Sequence, residues 1–282
     1  MAITKSTPQN GGIKLKIITL NVRGLRSPKK RRTLFHLFKK NDYDVICLQE
    51  TYLLKTDIRI IEREWGSKFH IAEGTKRSKG LLTLINKSIP ASCFSLVSES
   101  DRCLISNISI DDTYFSIINV YAPCINADKQ SFLNNIFKSV TELQSNLDSN
   151  LIIVGDFNMV LDNKIDIIAG EHHNEGVVRS FNNFVKDLLL IDVWRYLHGK
   201  KQEFSWSKSR PFIAHRLDYI FTSEQLLPFC KIANICELGS SSDHKAVVPN
   251  IDFYPSRKVQ PSISLMYLCC MRKFKLTQFL RK

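Results

Sequence analysis

The chain has 282 residues, 44% of them hydrophobic, enough for one large core or two small ones, so a globular protein is expected rather than a disordered one. Forty Lys and Arg against 27 Asp and Glu give a formal charge of +13, which points to a polyanionic partner: nucleic acid or an anionic membrane surface. The N-terminus lacks an apolar signal core and the longest apolar stretch, around residues 263–271, is far too short to span a bilayer, so no membrane insertion is implied.

In chain order, residues 1–13 are polar with Pro8, Gly11 and Gly12 and read as a loose leader. The body runs over 14–253. A buried strand is expected at 14–21, then a helix with Ser27 as N-cap and Pro28 at its first position, carrying Leu34, Phe35, Leu37 and Phe38. An apolar run at 45–49 ends at Glu50. Strands are expected near 69–72, 81–85, 102–110 and 113–120, then a helix at 128–147 with Phe132, Ile136, Phe137, Val140 and Leu143 on one side. A strand at 151–154, a helix near 176–190, and strands near 203–206, 216–221, 231–237 and 246–252 close the body. Interspersed helices and strands with β-rich stretches predict an α/β fold of two packed sheets flanked by helices. Residues 254–282 carry seven Lys or Arg and no acid, and read as a basic tail outside the domain. The eight cysteines form no CxxC pair, and several lie in apolar runs; they read as reduced thiols of an intracellular protein rather than zinc ligands.

Four short motifs stand at the ends of apolar strands: Asn21 after KLKIITL, Gln49-Glu50-Thr51 after DVICL, Gly155-Asp156-Phe157-Asn158 after LIIV, and Ser242-Asp243-His244 before KAVV. Strand ends present side chains to a shared cleft, so this order can gather carboxylates, amides and an imidazole around one point. Phosphodiester cleavage needs a cation against developing charge, an activated water and a stabilised leaving oxygen. Glu50 suits a hard cation such as Mg²⁺, which uses one or two carboxylates and keeps several waters. Asn21 could hold a phosphate or a metal-bound water, Asp156 and Asn158 could orient a nucleophilic water, and Asp218 could orient His244 as acid/base or charged donor. Each motif alone has a plainer reading, as a surface strand end, a turn or a structural hydrogen-bonding pair; it is their joint order that carries the inference.

With these residues the chain resembles the endonuclease/exonuclease/phosphatase superfamily, over residues 15–253, with Asn119-Val120-Tyr121-Ala122-Pro123 and Arg216-Leu217-Asp218-Tyr219 also matching in order. The resemblance implies a four-layered α/β/β/α sandwich of two packed mixed sheets with the site where the sheets meet. It implies Glu50 as principal metal ligand with Asn21 and Asp243 near it, Mg²⁺ as cofactor with Mn²⁺ able to substitute, Tyr121 against the scissile phosphate, Asp156 and Asn158 at the water or leaving group, and Asp218 with His244 at the phosphate. Within the superfamily, NVRGLRSPKKRR, CLQETYL, NVYAP, FSWSKSRP and HRLDYIF are most similar to endonuclease domains of non-LTR (LINE-type) retrotransposons.

The resemblance implies a monomeric, Mg²⁺-dependent enzyme made in the cytoplasm and acting in the nucleus. It nicks one strand of duplex DNA, and the 3′-hydroxyl primes reverse transcription by a domain absent from this chain. Alternatives are an apurinic repair endonuclease, a superfamily phosphatase acting on inositol lipids or sphingomyelin, and an inactive nucleic-acid-binding relic. Arg23, where repair enzymes carry an aspartate, His215, where they carry a tryptophan, and Cys124 in place of an asparagine speak against abasic-site specificity. The run Lys29, Lys30, Arg31 and Arg32 opposes the helix dipole and is either a solvated face, a DNA contact or an import signal. Ser207 to Ala214, with Lys208, Arg210 and Phe212 beside His215, reads as a hairpin loop that is either a connector or a probe of groove shape.

Overall fold

In chain order the strands of the first half are β1 (Ile13–Asn21), β2 (Val45–Gln49), β3 (Phe69–Ala72), β4 (Leu81–Ile85), β5 (Phe94–Glu99), β6 (Cys103–Ile110) and β7 (Thr113–Tyr121). Those of the second half are β8 (Asn150–Asp156), β9 (Ile167–Ile168), β10 (Leu190–Asp192), β11 (Trp206–Ser209), β12 (Phe212–His215), β13 (Asp218–Ser223), β14 (Cys230–Cys236) and β15 (Ala246–Phe253). The helices are α1 (Pro28–Lys40), α2 (Ile58–Trp65), α3 (Asn126–Asn146), α4 (Glu175–Asp187) and α5 (Val193–His198). The structure, a computed structural model, describes residues 13–253 except 75–78, 90–93, 111–112, 147–149, 171–174 and 240–241. The expected tail and all but the last residue of the expected leader lie outside the described residues. Cys47, Cys103, Cys124, Cys230 and Cys236 are free thiols, and no described helix is long and apolar enough to cross a membrane.

Two six-stranded mixed sheets form, in the orders β14-β15-β1-β2-β4-β3 and β10-β13-β8-β7-β6-β5. Their facing sides share a core in which Ile17, Val45 and Cys47 meet Phe115, Ile117, Ile152 and Val154. The outer side of the first sheet buries Ile18, Leu20, Ile46 and Leu48 with Leu34, Phe35 and Phe38 of α1 and Ile61 and Trp65 of α2. The second sheet does the same with Phe132, Ile136 and Val140 of α3 and Phe181 and Phe184 of α4. The result is the expected α/β/β/α sandwich. Strands covered on both faces explain why VICLQ is buried at every position.

Each sheet contains one parallel pair, β1 with β2 and β7 with β8. Their registers set Asn21 opposite Gln49 and Tyr121 opposite Asp156, so both pairs end at the same rim. Antiparallel β13 begins there too, with Asp218 opposite Asp156. Just below the rim a buried polar tie joins the sheets: the Gln49 amide donates to Asn119 Oδ1 at 2.7 Å, and Asn119 donates to Thr83 Oγ1 at 3.2 Å. Within a dry core such bonds fix the relative placement of the sheets.

Three sequence expectations are corrected. Residues 203–205 are not strand, and Ser207 to Ala214 is not a loop between strands: it holds most of β11 and β12, which pair as a hairpin and form a third small sheet with β9. Pro211 sits in the turn, where its missing N–H costs nothing, and the short polar strands around it lack a legible alternation. The Lys29–Arg32 run is not one solvated face either. Arg31 is buried and forks onto Glu64 at 2.5 and 3.0 Å, with Arg32 on the same carboxylate at 3.1 Å.

Gly155 is required by geometry. Its φ is +143°, and a Cβ there would stand 2.0 Å from the Val120 carbonyl oxygen on the neighbouring parallel strand. Gly155→Ala is therefore expected to destabilise the fold by at least about 2 kcal/mol, read as a lowered urea midpoint with unchanged slope; a variant of parental stability would contradict this account of the β7–β8 contact.

Candidate active site

The converging strand ends form one hydrogen-bonded cluster. Asn21, at the end of β1, donates from its amide nitrogen to Glu50 Oε1 at 3.1 Å and to Asp156 Oδ2 at 2.9 Å, linking carboxylates from the two sheets. Its own oxygen accepts from the Arg23 backbone N–H. Tyr121 donates its hydroxyl to Glu50 Oε1 at 2.9 Å, and Lys79 donates to Glu50 Oε2 at 2.8 Å. Asp156 Oδ1 accepts from the Asn158 backbone N–H at 2.8 Å, while the Asn158 side chain donates to the Ala122 carbonyl. His244 meets Asp218 through Nδ1 at 2.8 Å and turns Nε2 toward Asp156 at 3.9 Å. Ser242 ties this loop to β1 by donating to the Asn21 carbonyl at 2.6 Å and accepting from the His244 backbone. Ser205 accepts from the backbone N–H groups of Leu217 and Asp218.

Above the cluster opens a cleft of about 420 Å³ lined by Glu50, Asn158, Asp243 and His244, with Arg23, Lys79, Lys129, Trp206 and His215 among its other walls. Arg23, Glu50 and Asn158 are held at φ of +47°, +51° and +46°. A non-glycine residue in that region costs about 1–2 kcal/mol. Three such residues on one cleft are the pattern expected where side-chain direction outweighs local stability.

Electrostatics divide the cluster in two. Burial works to raise the Glu50 carboxyl, but hydrogen bonds from Lys79, Asn21 and Tyr121 outweigh it and hold the group below the usual carboxylate range. Asp243 is likewise held low, against burial, by Trp206, His244 and Arg23. Both therefore present ionised oxygens to the cleft. Burial pushes Asp156 up to about 7, with Asp218 adding to the rise and His244 opposing it. His244 is pushed up to about 9: burial opposes its charge, and Asp218 and Asp156 more than compensate. Burial and Glu50 push the Tyr121 phenol well up, keeping it a neutral donor.

Two groups could hold a cation. Glu50 and Asp243 are ionised hard-oxygen donors on one cleft, and this chemistry fits Mg²⁺ or Mn²⁺. In this arrangement Lys79 balances Glu50, and Asp243 Oδ2 is taken by Arg23 at 2.8 Å and Trp206 Nε1 at 3.0 Å. Ligand atoms of Asp156, Asp218 and His244 also lie within 4.8 Å of one another. There the His244 imidazolium already supplies positive charge between the two carboxylates.

Of the other residues singled out in the sequence, His215 lines the cleft with its ring 5.4 Å from that of Trp206, the two planes tilted by 45°. Lys30 is tethered beside Arg23 by donating to the Val22 carbonyl, and Lys29 is exposed on α1, outside the cleft lining. Lys208, Arg210 and Phe212 stand exposed on the β11–β12 hairpin, Phe212 being 58% exposed. Sequence reasoning missed Lys79, Lys129 and Trp206 as cleft residues. Trp206 carries a weak signal, being the aromatic residue before the hairpin; single lysines carry none.

The sequence model of the Endonuclease/Exonuclease/phosphatase family matches residues 18–244, a span containing every residue of the cluster. The chain is 27% identical over 248 residues to the transposon TX1 uncharacterized 149 kDa protein of Xenopus laevis, covering 86% of this chain and 18% of that protein. It spans 60% and 65% of the lengths of two further sequence relatives. Among solved structures, the AP endonuclease LMAP from Leishmania major superposes with a TM-score of 0.73 at 19% identity, covering 85% of this chain and 88% of that one. The endonuclease domain of TRAS1, a telomere-specific non-LTR retrotransposon, gives 0.64 at 12% identity, covering 86% and 100%. At these identities the structural likeness establishes the fold alone.

The charge on His244 can be measured without any cation present. In EDTA, the His244 ring resonances are expected to titrate near about 9, and Asp218→Asn to bring the midpoint down toward the ordinary imidazole range. Because the folded value lies above the ordinary 6.5, this ion pair's contribution to stability is complete below about pH 6.5 and lost as pH rises through about 9. A neutral His244 at pH 7 would contradict this ion pair.

Proposed function

For a chain that belongs to the endonuclease/exonuclease/phosphatase family, we propose the activity of a metal-dependent endonuclease that nicks one strand of duplex DNA, of the kind that serves a non-LTR retrotransposon. The observation that carries this reading is the junction of an ionised Glu50 and a charged Asp156–Asp218–His244 relay, from two sheets, at one cleft. Glu50, with Asn21 and Asp243 beside it, would hold the cation. When bound, that ion neutralises charge developing on the phosphate.

The chain's own groups supply the remainder. Tyr121 and the His244 imidazolium donate to phosphate oxygens, and Asp218 keeps the ring charged and oriented. Asp156, whose pKa burial raises to about 7 so that it is both ionised and a competent base near neutral pH, orients a water with Asn158 and accepts its proton. The water oxygen bonds to phosphorus as the bond to the 3′-oxygen breaks, and the freed 3′-oxygen takes a proton from solvent, leaving a 5′-phosphate and a 3′-hydroxyl. In a retrotransposon that hydroxyl primes reverse transcription by a polymerase domain carried elsewhere in the element, and the site of action is the nucleus. The chain acts as a monomer. Arg23, Lys29, Lys30, Lys208, Arg210, Phe212 and His215 would meet the duplex, with the hairpin sensing groove shape. The sequence match to a transposon protein, the formal charge of +13 and the exposed basic hairpin support this reading over the phosphatases of the family.

A second reading, apurinic repair, draws support from the LMAP fold and from Trp206, which brings an indole to the cleft beside His215. Against it stand Arg23 and His215, where repair enzymes carry an aspartate and a tryptophan; Arg23 here pairs with Asp243.

With supercoiled plasmid and Mg²⁺, the parent protein is expected to give nicked circles, and EDTA to abolish them. Glu50→Gln, Asp156→Asn and His244→Ala should each lower the rate at least about a hundredfold with the fold intact by circular dichroism. Near-parental nicking by any one of them removes that residue from its role. On oligonucleotide duplexes, an abasic site should give no more than a few-fold advantage over intact DNA; a strong preference for it would favour the repair reading.

A further inference from the structure

Among the described residues three Lys or Arg side chains are buried: Arg31, Arg216 and Lys129. The two arginines are held by carboxylates, Arg31 by Glu64 and Arg216 by Asp166 and Asp192. Lys129 is 3% exposed and differs from both. Its ammonium donates to two neutral oxygens, the Asn158 carbonyl at 2.7 Å and the Asn126 side chain at 3.1 Å, and no described carboxylate pairs with it. It also sits in the first turn of α3, at the positive end of that helix's dipole. Burying a cation without a directly paired anion is costly; here the two hydrogen bonds and the more distant Asp156 carboxylate offset that cost only in part. Burial holds its pKa below the ordinary lysine range.

The position of this group gives the cost a purpose. Lys129 lines the cleft together with Glu50, Asn158 and His244. An ammonium has three N–H donors, and two are used, which leaves one for a ligand. Its partner Asn158 is itself bonded to Asp156, so the ammonium stands two hydrogen bonds from that carboxylate.

We propose that Lys129 is a substrate-contact residue whose ammonium receives one backbone phosphate of the DNA strand lying in the cleft. This rests on the nuclease reading and adds a specific anchor to it. The phosphate supplies the anion that the buried cation lacks, so the contact forms only when the strand is seated beside Asp156. A purely structural lysine, clamping the Asn158 loop, would instead lose stability on removal of its charge and leave DNA affinity dependent on salt as before.

The test uses the full chain and a fluorescent duplex in EDTA, with anisotropy measured across a sodium chloride series. Lys129→Met keeps the length and removes the charge. The slope of log affinity against log salt should shrink by about 0.9, the value for one phosphate contact. The thermal midpoint should stay level or rise, because an unpaired buried charge is gone. Lys129→Arg, which keeps the charge, should retain the parental slope. A methylphosphonate scan of the cleaved strand should find one position whose neutralisation weakens the parent and not Lys129→Met. An unchanged slope in Lys129→Met, or a fallen thermal midpoint without slope change, would overturn the assignment. If the parent binds and nicks DNA normally in that case, only Lys129 loses its role; if the parent binds no duplex, the nuclease reading and this inference fall together.

Discussion

One amide holds this site together. Asn21 reaches Glu50 and Asp156 with the same side-chain nitrogen and so joins carboxylates from the two sheets, as the His244–Asp218 pair joins the loop before β15 to β13. Two buried carboxylates a few ångströms apart repel, and the amide's two N–H donors convert that repulsion into a bridge. The Gln49–Asn119 bond just below it performs the same service between neutral groups. Shifting one sheet against the other would break both. The placement of every other catalytic candidate then follows from strand register: Tyr121 and Asp218 flank Asp156 in the second sheet, and the loop bearing His244 is tied back to Asn21 through Ser242.

The cluster also has a charge logic. Glu50, Asp156, Asp218 and Asp243 are answered within the cleft by Lys79, Arg23 and the His244 imidazolium. Each carboxylate therefore has a distinct environment. Glu50 and Asp243 are ionised and face the cleft, while Asp156 is buried with its pKa raised to about 7. Environments that separate like groups in this way are how one site supplies both an anchor for a cation and an acceptor for a proton. The left-handed backbone at Arg23, Glu50 and Asn158 is the local cost of aiming these groups.

Much of this was legible in the sequence because it lies at strand ends, where an apolar run stops at a polar side chain. KLKIITL, DVICL and LIIV gave the three strands that carry Asn21, Glu50 and Asp156 almost to the residue. Gly155 shows why GDFN needs its glycine, yet only the parallel neighbour's carbonyl reveals the reason. What sequence reasoning lost was of two kinds. Short elements with little periodicity escaped it: α2, although Ile58, Ile61 and Trp65 sit on one face, and the polar strands of the β11–β12 hairpin. Pairings set by tertiary contact escaped it as well. Nothing local distinguishes Arg31, buried on Glu64, from exposed Lys29, or buried Lys129 from its exposed neighbours.

Arg23 and Trp206 together claim one oxygen of Asp243 at the wall of the cleft. The hydrolysis we propose breaks the bond to the 3′-oxygen, and the most direct test of that proposal is the chemistry of the cut ends. Plasmid nicked by the purified chain in Mg²⁺ should be resealed by DNA ligase without any prior treatment, because ligase requires a 3′-hydroxyl beside a 5′-phosphate. Nicks that resist resealing until their ends are repaired, or plasmid that stays intact in Mg²⁺, would contradict the account.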